Sequence, residues 1–258
     1  MDLGISDRTA LVTGGAGRLG SEDARHLARE GVEVVVLDVD EAGAERVVSD
    51  IEDEGGDALA VACDLTDRAD VRETVADVRE STGGIDILVN NAGFVDAVSR
   101  IGDFDDDLWD RDLDLNLTGA YNITKEVFPH MRERGWGRVI TMASIAGTHG
   151  SFGQVSYSTT KMGLVGFGRA LALEGAKEGV TSNVLAPSIV VDDLADLPPD
   201  QLEQVNPQFE RIRQATPMKK LGRESDVAPM VCYLASEHAD YMTGQVIGIT
   251  GGADLLST

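Results

Sequence analysis

Short runs of aliphatic and β-branched residues alternate with longer stretches whose apolar positions recur at helical spacing, and this continues along the whole chain. The runs predict strands at 9–13, 33–37, 58–62, 85–90, 137–142, 180–185 and 245–249. Near-continuous apolar strands are those of a parallel sheet covered on both faces. The periodic stretches predict helices at 19–30, 41–54, 67–81, 106–133, 155–177 and 224–236. Strand and helix in strict alternation predict an α/β fold, a doubly wound parallel sheet of about seven strands with helices on both faces. No repeat or low-complexity linker divides residues 1–258, so a single domain is expected. One interval breaks the rhythm. Residues 188–222 are polar and weakly periodic, and Pro198, Pro199 and Pro207 interrupt them. So long an insertion in a compact domain is expected to be a substrate lid or binding loop.

Composition narrows the possible partners. The 258 residues carry 45 acidic side chains against 22 Lys and Arg, a formal net charge of −23. Nucleic-acid binding rests on neutralising phosphates with basic side chains, and docking on anionic lipid has the same requirement, so neither partner is expected. With no apolar stretch long enough to span a bilayer and no secretory leader at the N-terminus, a cytoplasmic protein is expected. Cys63 and Cys232 have neither metal-ligand spacing nor a disulfide framework. The densest acidic run, 103–114, is read as a helix start, where carboxylates suit the positive dipole end. It lacks EF-hand spacing, and no metal is expected. Acidity spread over the whole chain fits work in concentrated salt, where screening suppresses self-repulsion.

The first candidate chemistry lies where the first predicted strand enters Thr13-Gly-Gly-Ala-Gly-Arg-Leu-Gly20 and a helix follows. Glycines let the backbone turn tightly and approach a pyrophosphate, which then meets the N–H groups and dipole of the helix start. The second strand leads to Asp38, about 20 residues beyond the glycines, where a carboxylate can accept the adenosine ribose hydroxyls. The same carboxylate repels a 2′-phosphate, and the residues after it are Val39, Asp40 and Glu41. NAD is therefore the expected cofactor.

A second group points to proton transfer. Tyr157 and Lys161 share one helix face at i,i+4 spacing. A free tyrosine has a pKa of about 10. An adjacent ammonium and a positive nicotinamide ring would bring it toward neutrality, making Tyr157 a candidate general base. Ser144 ends the preceding strand, where its hydroxyl can hold a carbonyl or alcohol oxygen. Asn90, Asn91, Ala92 and Gly93 end another strand, and Asn116 follows in Asn-Leu-Thr-Gly. Most of these positions fall at or beyond the carboxyl ends of strands, where open α/β sheets place their ligands.

Over essentially its whole length the chain resembles the short-chain dehydrogenase/reductase family. The resemblance is carried by the 13–20 loop, Asp64-Leu65, Asn90 to Gly93, Asn116, Ser144, Tyr157-x-x-x-Lys161, the 183–187 segment, Thr243-Gly-Gln-Val246 and Gly251-Gly252. It implies a Rossmann-type fold and hydride transfer between a nicotinamide cofactor and a small alcohol or ketone. Ser144 would orient the substrate oxygen, Tyr157 would exchange its proton, and Lys161 would hold the nicotinamide ribose and lower the tyrosine pKa. Asn116 would maintain a water relay to that lysine. Asp64 and Leu65 would flank the adenine, and Asn91, Ala92 and Gly93 would line the cleft. Gly14, Gly17, Arg18, Leu19, Pro187 and Val190 complete the implied cofactor contacts. The chain departs from the family pattern at Arg18, Ser188 and Asp192, where the family commonly has Gly, Gly and Thr. Residues 94–98, 145–154 and the 188–222 lid are expected to form the substrate pocket, with His149 and Gln154 as candidate binders of a hydroxylated substrate. Sugars or sugar acids, hydroxy acids and 3-oxoacyl thioesters are the candidate classes. The rival reading is a non-catalytic nucleotide-binding regulator. The helix carrying Tyr157 is apolar on several faces and rich in small residues, and similar proteins bury it between subunits, so a homotetramer or homodimer is expected.

Overall fold

The computed structural model describes residues 2–95 and 97–255. Seven strands form one sheet: β1 (Thr9–Thr13), β2 (Glu33–Asp38), β3 (Ala58–Ala62), β4 (Ile87–Asn90), β5 (Gly137–Met142), β6 (Val180–Pro187) and β7 (Val246–Ile249). All pairs are parallel, in the order β3-β2-β1-β4-β5-β6-β7. The chain winds outward from β1 to β3, then returns to the other side of β1 as β4. That reversal opens a crevice at the carboxyl ends of β1 and β4.

Period-two alternation sorts the strand residues between two cores. Ala10, Val12, Val34, Val36, Ile87 and Val89 face one layer. Leu11, Val35, Leu37, Leu88 and Val139 face the other. The first layer is covered by α1 (Arg18–Arg29), α2 (Glu41–Asp53) and, late in the chain, α11 (Glu224–Ala235). On the second lie α3 (Arg68–Thr82), α5 (Ala120–Arg134) and α7 (Val155–Gly175). Some of the excess aspartate does local work here. Asp40, Asp67 and Asp105 cap α2, α3 and α4 (Asp106–Leu113), their carboxylates accepting first-turn N–H groups.

Three expectations need correction. The stretch read as one helix over 106–133 is broken: α4 gives way to a π-helical turn over Asp114–Gly119 before α5 begins. Strand β4 begins at Ile87 rather than 85; just before it, the Asp86 backbone bonds to Thr9 and Arg138, and its carboxylate accepts the Thr9 N–H and pairs with Arg8 and Arg134. The 188–222 interval is not a loop. After α6 (Ile145–His149) and α7 come α8 (Asp192–Ala195), α9 (Pro199–Val205) and α10 (Pro207–Ala215). Pro199 and Pro207 are the first residues of α9 and α10, where a missing N–H costs nothing, so they start helices rather than break them.

The amino ends of the strands form a polar floor. Arg138 is 1% exposed and donates to the carbonyls of Gly137 and Ser236 and to Asp240. Its guanidinium lies 4.2 Å from the Trp136 ring centre, and that of Arg8 lies 3.9 Å from the same ring.

Candidate active site

The crevice is a cleft of about 660 Å³. Its nucleotide end is made of backbone. Gly14 turns with φ +62°, and a Cβ there would lie 2.8 Å from Ala92 Cα. At Gly20 a Cβ would approach the Gly14 carbonyl oxygen to 2.3 Å, so only glycine lets the loop close onto α1. Thr13 Oγ1 donates to the Val89 carbonyl and accepts the N–H groups of Asn91 and Ala92. Asn91 Nδ2 donates to the carbonyls of Thr13 and Gly14, 3.1 Å each, stapling β4 to the loop.

Asp38 stands at the end of β2 and lines the cleft. One carboxylate oxygen accepts the Ala16 N–H and the other the Asp40 N–H, both at 3.0 Å. Gly17, Leu19, Asp64, Leu65 and Gly93 line the same cleft. Arg18 lines it too, but its guanidinium is engaged elsewhere: Nε lies 3.0 Å from Glu224 and Nη2 3.3 Å from Asp193. Glu224 is 4% exposed, and its second oxygen accepts the Asp192 N–H at 3.0 Å. The departures at Arg18 and Asp192 therefore belong to one cluster joining the phosphate loop, α8 and α11.

At the other end Lys161 and Asn116 are buried, whereas Tyr157 and Ser144 are half-buried. Tyr157 is the third residue of α7, and Lys161 follows one turn later on the same face. The Lys161 ammonium lies 5.5 Å from the Tyr157 ring centre and donates to the Met142 carbonyl at 2.8 Å. Burial lowers the lysine pKa to about 8. Burial also raises the Tyr157 phenol above its ordinary value, opposed by a hydrogen bond with Ser144. Ser144 Oγ caps α6 by accepting the Ala146 N–H at 3.1 Å, which leaves its own proton to donate. Asn116 is fully buried in the π-helical turn. Its amide accepts the Phe94 N–H and donates to the Phe94 carbonyl, at 2.8 and 3.1 Å. A Cβ on Gly93 would lie 2.5 Å from Asn116 Oδ1 and 3.2 Å from Lys161 Nζ, so these three residues pack as a unit.

Not every candidate meets the cleft. His149 is exposed at the end of α6, with Nδ1 2.8 Å from Thr148 Oγ1. Gln154 is the N-cap residue of α7 and caps nothing with its side chain. Pro187 ends β6, and Val190 bridges to Gly222 beside a separate cavity of about 190 Å³. Phe94, from the expected 94–98 pocket wall, lines the cleft; Asp96 lies outside the described residues. Arg111 and Leu115 line the cleft without having been foreseen. Their i,i+4 spacing, with Asn116 next, was the available signal, hidden inside the acidic run. Among the described residues no group of three or more His, Cys, Asp or Glu is placed to hold a metal, and no helix is long and apolar enough to cross a membrane.

A glycine turn at the switch point of a parallel sheet, facing a Tyr–Lys–Ser group, is the arrangement of an α/β oxidoreductase. Residues 15–254 match a family model described as enoyl-(acyl carrier protein) reductase. The uncharacterized oxidoreductase YxjF of Bacillus subtilis is 38% identical over 95% of this chain and 97% of that protein. A 3-oxoacyl-[acyl-carrier-protein] reductase, FabG of Staphylococcus aureus, is 34% identical over 95% and 97%. Two solved structures superpose with a TM-score of 0.88: NAD+-bound xylitol dehydrogenase, 28% identical over 95% of this chain and 98% of that one, and a single-substitution variant of actinorhodin polyketide ketoreductase with NADPH, 33% identical over 97% and 99%. The chain belongs to the short-chain dehydrogenase/reductase family.

Proposed function

We propose that this protein is an NAD-dependent dehydrogenase/reductase interconverting a secondary alcohol and a ketone, with Tyr157 as its general acid and base. The observation that carries this reading is that Tyr157, hydrogen-bonded with Ser144, and Lys161 line one end of a cleft whose other end is a glycine turn and Asp38. A bound nicotinamide supplies the hydride acceptor or donor. Ser144 Oγ donates a hydrogen bond to the substrate oxygen and orients it. Tyr157 Oη takes the proton of the alcohol during oxidation and returns it during reduction. The Lys161 ammonium, charged below about pH 8, favours the phenolate and offers donors to a ribose. The backbone cradle at Gly14 and Gly20 fits a pyrophosphate at the start of α1.

Two observations favour NAD over NADP. Asp38 lines the cleft at the end of β2, where its carboxylate would repel a 2′-phosphate, and Arg18, the cation of the loop, is paired with Glu224 and Asp193. The likeness to FabG favours a second reading, a 3-oxoacyl thioester reductase using the same groups. A homo-oligomer, dimer or tetramer, is supported by α7, which leaves Met162 48% and Leu173 84% exposed around the open Gly166. A cytoplasmic location fits the two free, buried cysteines.

The test is a panel of sugar alcohols, hydroxy acids and 3-hydroxyacyl thioesters, each offered with NAD and NADP while the reduced cofactor is followed. Turnover with an alcohol class and NAD is expected. Tight NAD binding with no turnover on any member would favour the non-catalytic regulator instead.

A further inference from the structure

Tyr157 sits in the first turn of α7. The helix begins at Val155, its N-cap residue Gln154 makes no side-chain cap, and the approach runs through Gly150, Ser151, exposed Phe152 and Gly153, with both glycines at positive φ. Something must fix the rotation of this first turn. A turn of roughly 10° about the helix axis moves a phenol hydroxyl, well outside the ~2.3 Å Cα cylinder, by about 1 Å. A misplacement of that size costs on the order of 100-fold in rate.

Besides the Tyr157–Ser144 hydrogen bond, a side-chain bond reaches this turn from α4. Ser156, next to Tyr157 and 1% exposed, donates its hydroxyl to a carboxylate oxygen of Asp112, also 1% exposed. The other Asp112 oxygen is buried with no partner among the described residues. Asp112 lies in the last turn of α4, one turn before Asn116, whose amide holds the Phe94 backbone. The bond thus spans the base-bearing helix and the segment that shapes the opposite wall.

Placing a carboxylate there is unfavourable. A buried carboxylate with one of its oxygens unpartnered carries a desolvation penalty that an aliphatic side chain of similar volume would avoid. Helices α4 and α7 are in close contact around Asp112. We propose that Asp112 is a positioning residue: through Ser156 it sets the rotation of the first turn of α7 and so aims Tyr157 at Ser144 and the substrate oxygen. This rests on Tyr157 being the acid–base group. Ser156 and Tyr157 project about 100° apart around the helix, so anchoring one on the core side aims the other into the cleft.

The test does not need the substrate. In the NAD-saturated full chain, the phenolate ultraviolet absorbance of Tyr157 is obtained by subtracting the Tyr157→Phe variant and is titrated with pH. The groups facing this phenol are Ser144 from α6 and Lys161 from its own helix. Losing alignment with them leaves burial dominant, so the midpoint rises. Asp112→Leu and Ser156→Ala are each expected to raise it by about one pH unit, and the double variant by no more than either alone, since both break the same bond. Asp112→Asn keeps an acceptor and is expected to leave the midpoint in place. The double variant, which leaves no polar atom stranded, is expected to melt at or above the temperature of the unmodified chain. A purely structural role predicts the opposite, a lower melting temperature with no displaced midpoint. Unmoved midpoints in both Asp112→Leu and Ser156→Ala, or additive shifts in the double variant, would overturn the proposal. Should Asp112→Leu not fold, Ser156→Ala and Asp112→Asn carry the comparison. A difference titration showing no ionisation distinct from an ordinary phenol would instead remove Tyr157 from its role, and the tether would fall with it.

Discussion

The two ends of the cleft solve opposite problems. At the nucleotide end, recognition is delegated to main chain: glycines that admit close approach, N–H groups at the start of α1, and Asp38 held by two backbone donors. The buried group that opposes folding there, Glu224, is paired with Arg18 and a backbone N–H. At the catalytic end a lysine 4% exposed, a phenol shifted by burial and a buried aspartate are held against their solvation preferences. On the proposed function, the contrast teaches that the binding end is built mainly from geometry that also favours the fold, whereas the chemical end is built from groups the fold would do better without.

The sharpest break in that comparison is Tyr157→Phe. It removes the hydroxyl proposed to exchange the substrate proton, so turnover is expected to fall at least ~10²-fold while NADH affinity, measured by fluorescence, stays within about twofold. Full turnover in this variant would show that the base lies elsewhere.

Next in size is cofactor choice. The unmodified enzyme is expected to prefer NAD over NADP by at least ~10-fold in kcat/KM, about 1.4 kcal/mol of transition-state binding. Asp38→Ala should weaken NAD and narrow the gap. Equal efficiency with NADP before any substitution would mean that Arg18 leaves Glu224 and Asp193 for the 2′-phosphate.

Stability sharpens the comparison from the other side. Burial lowers the Lys161 pKa to about 8 in the folded chain from an unfolded value of 10.5. The unfolded state therefore binds the extra proton between those values, so this lysine destabilises the fold fully below pH 8 and progressively less as pH rises to about 10.5. Lys161→Met is expected to abolish turnover yet raise stability at pH 7, by on the order of 3 kcal/mol, an advantage that shrinks on titration toward pH 10. Chemical denaturation at the two pH values checks it; a constant difference would refute the buried-charge account.

The smallest effect concerns the surface common to both ends. With a net charge of −23 and a Debye length of ~3 Å at 1 M salt, self-repulsion is nearly silenced in brine. Melting temperature is expected to rise by several degrees between ~0.1 and ~2 M KCl, where the screening length falls below the spacing of surface charges. A flat profile would assign the acidity another cause.

The strand pattern, the sheet class and the Tyr157–Lys161–Ser144 group were legible because each depends on local periodicity or on short spacing at strand ends. What escaped depends on contacts distant in sequence or on context. No local pattern links Arg18 to Glu224. The prolines of 188–222 carry the same letters whether they end a helix or begin one, and only the chain around Pro199 and Pro207 decides. Asp112 was hidden in plain view, one aspartate among several in 103–114, and only burial separates it from its solvated neighbours.

The floor of the sheet has a practical consequence. The chain contains two tryptophans, and Trp136 is clasped between the guanidinium groups of Arg8 and Arg138, just before β5 and at the opposite end of that strand from the cleft. Trp109 lies on α4, half a turn from cleft-lining Arg111. The molecule thereby carries two separated optical reporters. Emission from Trp136 registers release of its cationic clasp when the sheet comes apart. Energy transfer to a bound NADH is expected to draw chiefly on Trp109, which lies on the helix that contributes to the cleft. A Trp109→Phe variant should lose most of that transfer and keep its unfolding signal, so occupancy and melting can be followed independently in one cuvette.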